Sequence, residues 1–212
     1  MYSSEDVVKW KKAARLAAEV LDFGRGLIKN GSRVLEVSDR IDAEIVKRGG
    51  LPAWPCQLSF DHVAAHQCAE PNDETVFDNN VVKLDVGVRI DGCIGDNATT
   101  VDLSGKYPDL VKASRDALTA EHKVLSFGTT MHDIGKTIQE TIESYGCVPV
   151  RNLSGHTISP FVIHDSPTVP NVPNGDKTAL VDGQVIAIEP FATTGVGIIY
   201  ESSLCNLFAL VG

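Results

Sequence analysis

Apolar residues recur at helical spacing along the N-terminal stretch. Val8, Ala13, Leu16, Ala17, Val20 and Leu21 fall on one face, which predicts a helix over residues 5–29. Ser3 or Ser4 can cap it, and Glu5 and Asp6 suit its positive first turn. A second helix is predicted over about 35–48, with Val37, Ile41 and Ile45 in phase and Gly49-Gly50 as its stop. Strand-like residues follow at 56–60, then a hairpin over 81–102. Two more helices are predicted over about 108–126 and 131–145, and Gly146 ends the second. Residues 147–180 read as extended or loop-like. Pro167, Pro170 and Pro173 with Asn171, Asn174 and Gly175 mark a loop there, not a linker between domains. A strand over 184–193, a turn at Gly195-Val196-Gly197 and a final apolar run complete the pattern.

The pattern repeats weakly. A shift of 97 residues places Ile41 on Ile138, Ile45 on Ile142, Gly49 on Gly146 and Pro52 on Pro149. A shift of 104 places Val81 on Val185, Leu84 on Ile188 and Asp85 on Glu189. Each half then reads as a helix pair, a strand and a strand that carries a carboxylate. Chance agreement among common residues is the competing reading.

Asp85, Asp96 and Glu189 interrupt runs that otherwise read as buried strand. A charge in such a run is costly unless it is paired or bound to a cation. Asp91-Gly92 signals a two-residue hairpin turn. If Ile90 pairs with Cys93, Asp85 faces Ala98 and Gly87 faces Asp96. Residues 85 and 87 share a face, so the two carboxylates form a diagonal pair roughly 7–8 Å apart at the backbone. Two metal ions about 3.5–4 Å apart fit between such carboxylates. Gly87 and Ala98 are small and should leave room, while Val82, Leu84, Val86, Val88 and Ile90 make the opposite, core face. Lys83 and Arg89 share the carboxylates' face and also suit a plainer reading, a solvated hairpin with two unrelated acids.

Composition narrows the class. The chain has 212 residues, 43% of them hydrophobic and 22% charged, as expected of one globular domain with a sizeable core. A net charge of -9 argues against general nucleic-acid binding, so no DNA partner is expected. The five cysteines at 56, 68, 93, 147 and 205 are dispersed and form no C-x-x-C pair. That favours reduced thiols and a cytoplasmic location over a disulfide framework. The acidic, polar start lacks the apolar core of a signal peptide, and no stretch is long and apolar enough to cross a membrane.

His156, in NLSGH, is a ligand type for Mn, Fe, Co or Zn. On its own it reads more readily as a surface or hydrogen-bonded histidine. The same holds for His66 and His164, and His62, His122 and His132 read as surface or helix-face residues. Four segments together resemble the type 2 methionine aminopeptidases of the pita-bread metallopeptidase family, in their archaeal-like form: PAWPCQLSFDHVAAH (52–66), KLDVGVRIDGCIGDNATTV (83–101), NLSGH (152–156) and AIEPFATTGVG (187–197).

The resemblance spans essentially the whole chain. It implies a mixed α/β (α+β) pita-bread fold with pseudo-two-fold halves, each a helix pair plus antiparallel sheet. It implies two divalent metal ions, with Asp85 and a bridging Asp96 on one, and Asp96, His156 and Glu189 on the other. His66 and His164 become catalytic residues flanking the scissile bond, and Trp54 stands where the family usually has Phe in its methionine pocket. The implied activity is removal of initiator methionine from nascent peptides, at the ribosome, when the next residue is small, by a monomer. Residues 1–212 are expected to form one catalytic domain that lacks the family's helical insertion, final strands and fifth ligand, which leaves one metal in this chain. A non-catalytic binding protein on the same fold and an X-Pro aminopeptidase or prolidase are the alternatives.

Overall fold

Ser3 caps the first helix, α1 (Ser4–Leu27): its hydroxyl accepts from the Asp6 amide at 3.1 Å, and the Asp6 carboxylate accepts from the Ser3 amide at 3.0 Å. The protein is seen in a computed structural model that describes residues 2–201 together with 207 and 208. Cys205 and most of the last apolar run lie outside the described residues. Helix α2 (Val34–Lys47) follows, and Gly49 leaves it at φ +85°, a conformation that favours glycine. Helices α3 (Pro108–Val124) and α4 (Met131–Ser144) keep the predicted positions, and Gly146 leaves α4 at φ +70°.

The chain divides into two compact units, one built mainly from Ser3–Lys106 and the other from Tyr107–Tyr200. In the first, β1 (Leu51–Pro52) and β2 (Gln57–Phe60) pair antiparallel with successive parts of β3 (Val81–Ile90), and β4 (Cys93–Asp102) pairs with the other side of β3. Helix α1 packs on β3 and β4. Gly95 permits this contact, because a Cβ there would lie 2.5 Å from the Ala13 backbone. Val82, Leu84, Val86 and Val88 are buried in one core with Ile41, Ile45 and Leu58. Ile90 is only partly buried at its margin.

In the second unit, β5 (Val148–Pro149) pairs with β9 (Ala192–Thr193), and β6 (Ser154–Ser159) lies between β7 (Val162–Pro170) and β8 (Ile186–Ala187). Its core gathers Ile134, Ile138, Ile142 and Met131 of α4 with Ala113 and Ala117 of α3. The β6–β7 hairpin falls where the sequence predicts only extended or loop-like residues. The strand predicted over 184–193 pairs only at 186–187 and 192–193.

The repeat is real, and it extends to the hydrogen-bonded register. Shifted by 97, Val34–Lys47 becomes Met131–Ser144 and Leu51–Pro52 becomes Val148–Pro149. With 104 for the partner strand, Ser59↔Lys83 becomes His156↔Ala187 and Leu51↔Arg89 becomes Val148↔Thr193. Agreement of paired registers is far more demanding than agreement of residue types, because a one-residue slip would exchange the two faces of a strand.

Candidate metal centre

Asp91 and Gly92 adopt φ +49° and +88°, as a two-residue primed turn requires, and Ile90 pairs with Cys93. The pairing sets Asp85 opposite Ala98 and Gly87 opposite Asp96, so both carboxylates rise from one face as a diagonal pair. Both residues are partly buried. On the other side of β3, Gln57 lies opposite Asp85 and Ser59 opposite Lys83, and both are buried polar residues. Lys83 does not need an aspartate as its partner. Its ammonium donates to the Asp61 carbonyl at 2.8 Å, and burial pushes its pKa down to about 8.

The space over Gly87 is not open. The Trp54 indole lies across it, with ring carbons 2.5–2.6 Å from where a Cβ would stand. Glycine is therefore required for the ring to lie flat on the strand, and the small residue accommodates this chain's own tryptophan rather than a ligand. The Trp54 Nε1 atom is buried there without a hydrogen-bond partner among the described residues. His66 follows on the loop after β2. Its backbone amide donates to Gln57 Oε1 at 3.1 Å, and its φ of +65° turns the chain sharply. Gln57, the residue opposite Asp85, thus anchors the exposed His66. Sequence reasoning overlooked Gln57, although a polar residue at the start of an apolar strand was a usable signal.

In the second unit, His156 is 5% exposed at the centre of its sheet, between Thr168 of β7 and Ala187 of β8. Its Nδ1 lies 3.2 Å from the Thr157 carbonyl oxygen and its Nε2 lies 3.0 Å from Glu189 Oε1. The exposed His164 meets the His156 ring edge-on at 4.5 Å between centroids. Gly155 makes the approach of Glu189 possible. A Cβ there would stand 2.1 Å from the Ala187 carbonyl oxygen and 3.2 Å from the Glu189 nitrogen. Glycine inside a strand signals such a close backbone approach, and the SGH triplet carried that signal unread. Gly155→Ala is expected to destabilise the protein by roughly 1–3 kcal/mol through overpacking. It should also move Glu189 away from His156. Urea unfolding measures the first effect and metal titration the second.

These atoms suit a divalent cation. A carbonyl acceptor at Nδ1 fixes the tautomer that leaves the Nε2 lone pair for a ligand bond. The Nε2 and Oε1 atoms lie 3.0 Å apart, so both could reach one such ion. With a proton in place of the metal, the same contact is an imidazolium–carboxylate ion pair. The structure thus brings Asp85, Asp96, Trp54 and the His66 loop together in the first unit, and His156, His164 and Glu189 in the second.

Residues 9–205 match Metallopeptidase family M24. The chain belongs to that family. Relatives within reach are the methionine aminopeptidase of Methanocaldococcus jannaschii, 42% identical over 93% of this chain and 67% of its own length, and that of Archaeoglobus fulgidus, 39% identical over 98% and 72%. The chain therefore spans about two thirds of the length of these relatives. Among solved structures, the methionine aminopeptidase of Rickettsia prowazekii superposes with a TM-score of 0.87 at 29% identity, covering 96% of this chain and 86% of that one. The mixed α/β fold is the pita-bread fold of family M24. Membership and these relatives mark the protein as a hydrolase of the metallo-aminopeptidase class, and the family's chemistry uses a divalent metal. No helix among the described residues is long and apolar enough to cross a membrane.

Proposed function

We propose that this M24 member is a type 2 methionine aminopeptidase that removes the N-terminal methionine of cytoplasmic nascent peptides whose next residue is small. The observation that carries the reading is His156, tied through Nδ1 to a carbonyl with Nε2 on Glu189, in a chain similar to archaeal methionine aminopeptidases. In this reading Asp96, His156 and Glu189 would hold the one ion expected of this chain, and Asp85 with Asp96 would hold the second where the family's full ligand set is present. Carboxylates and imidazole suit Mn, Fe, Co or Zn. When bound, the metal supplies Lewis acidity that polarises the scissile carbonyl and makes water nucleophilic at neutral pH.

The chain's own residues do the rest. His66 and His164 donate hydrogen bonds to the substrate carbonyl and the leaving nitrogen. Trp54 offers its indole to the methionine side chain, since a thioether packs favourably against an aromatic ring. The Asp165 carboxylate, next to His164, is engaged by the Ser159 hydroxyl and by the Ser166 amide at 2.7 Å, which ties this part of β7 to β6.

The purified protein loaded with Mn or Co should cleave Met-Ala-Ser and lose that activity on addition of a chelator. Chelator-resistant cleavage sinks the metal mechanism, and preference for an Ala-Pro substrate moves the reading to the X-Pro enzymes. His66→Ala should lower turnover by about 100-fold, the usual range for a proton-transfer residue, with metal content unchanged.

A further inference from the structure

The β6–β7 hairpin turns through Pro160-Phe161, between the paired residues Ser159 and Val162. Phe161 adopts φ +65°. The left-handed region crowds a bulky L side chain, and the third position of a tight turn that needs positive φ normally takes Gly or Asn. Burial does not offset the strain, because Phe161 is 71% exposed and its neighbour Val162 is 44% exposed. An aromatic side chain held in solvent on a strained backbone contributes nothing evident to the fold, and strain of this kind gathers at ligand sites.

The turn is close to the chemistry. Along β7, exposure alternates, so Val162 and His164 share a face. Two strand residues separate them by about 7 Å, and the His164 ring touches the His156 ring that meets Glu189. An aminopeptidase substrate continues in only one direction from its scissile bond, toward its C-terminus. The methionine side chain itself calls for an enclosed apolar pocket, which an exposed turn does not offer.

We propose that Phe161 and Val162 form an apolar shelf that receives the substrate peptide beyond the scissile bond, at its third residue and onward. The shelf favours substrates with a large apolar side chain there. The inference rests on the aminopeptidase reading, and it concerns the peptide's apolar surface, not the metal.

The test compares Phe161→Gly and Phe161→Asn with the unaltered protein on Met-Ala-Ser-Ser and Met-Ala-Leu-Leu. Both variants accept positive φ, so neither should unfold at a lower temperature than the unaltered protein. The expected result is a rise of about tenfold in KM for Met-Ala-Leu-Leu, equivalent to about 1.4 kcal/mol, with kcat and the constants for Met-Ala-Ser-Ser unchanged. Equal effects on the two peptides, or none, overturn the shelf. If the unaltered, metal-loaded protein cleaves neither peptide, the aminopeptidase reading fails separately. The shelf is then judged by calorimetric binding of Met-Ala-Leu-Leu: tighter binding by the unaltered protein than by either variant supports it, and equal or absent binding overturns it.

Discussion

Asp96→Ala is expected to abolish stoichiometric binding of Mn or Co, whereas Asp85→Ala should spare one ion. The difference follows from the proposed sharing of ligands. Asp85 serves one ion, but Asp96 serves both. Losing a partner that merely orients a ligand weakens metal binding by about 10–100-fold, so losing a shared ligand should exceed that range. The hairpin itself tolerates the change, since Asp96 is partly buried on the face away from the core and lies opposite Gly87. Calorimetric titration of each variant, with thermal unfolding followed in parallel, separates ligand loss from misfolding. A folded Asp96→Ala protein that still binds two ions, or one with unchanged affinity, refutes the shared role.

The second large effect lies away from the metal residues. Glu121 on α3 is fully buried, and neither carboxylate oxygen has a hydrogen-bond partner among the described residues. It continues the buried face of Ala113 and Ala117. Burial pushes its pKa from 4.5 up to about 7, and the nearby Thr137 hydroxyl of α4, which donates instead to the Asp133 carbonyl at 3.1 Å, opposes this only weakly. The folded protein therefore keeps the proton after the unfolded chain has lost it. Stability falls as pH rises from about 4.5 to 7 and levels off above, by an amount on the order of 3 kcal/mol. Glu121→Leu should remove this loss. Urea unfolding should show the variant more stable than the unaltered protein at pH 8, by roughly that amount, with little difference at pH 4.5. A gain of the same size at both pH values would falsify the protonation account.

The residue 97 positions earlier is Gly24, which allows Ile41 and Leu84 within 3 Å of where a Cβ would stand. The two copies of the repeat thus answer the same packing position in opposite ways, one with no side chain and one with a buried acid. No periodicity shows this, because a helical pattern marks which face is inside and cannot show whether an acid on it finds a partner.

The helices were legible because their apolar spacing, caps and stop glycines agree with one another. The β3–β4 hairpin was legible to the individual residue pair, because Asp91-Gly92 fixes the turn and the turn fixes the register. The β6–β7 hairpin was not. Its second strand carries Pro167 and Pro170 among polar residues, which read as a loop, and its pairing register shifts twice, at His156/Thr157 and Thr157/Ser159, which no sequence pattern marks. Pro190 likewise has no amide to donate, and the strand predicted over 184–193 shrinks to two short pairings around it. Within the site, ligand types could be read from charges in apolar runs and from the resemblance. The seat of Trp54 on Gly87 could not, because it joins residues from a loop and a strand that only the fold brings together.

That seat also gives the protein an optical gauge of its own. Of the two tryptophans, Trp10 is 6% exposed on α1, while Trp54 lies on the strand that carries Asp85. An indole whose N–H is buried without a partner emits according to the polarity and charge placed beside it. Ions or peptides reaching the carboxylate pair change the surroundings of Trp54 and leave those of Trp10 as they were. The intrinsic fluorescence of the unlabelled chain then reports occupancy in real time, with Trp10 as a constant background.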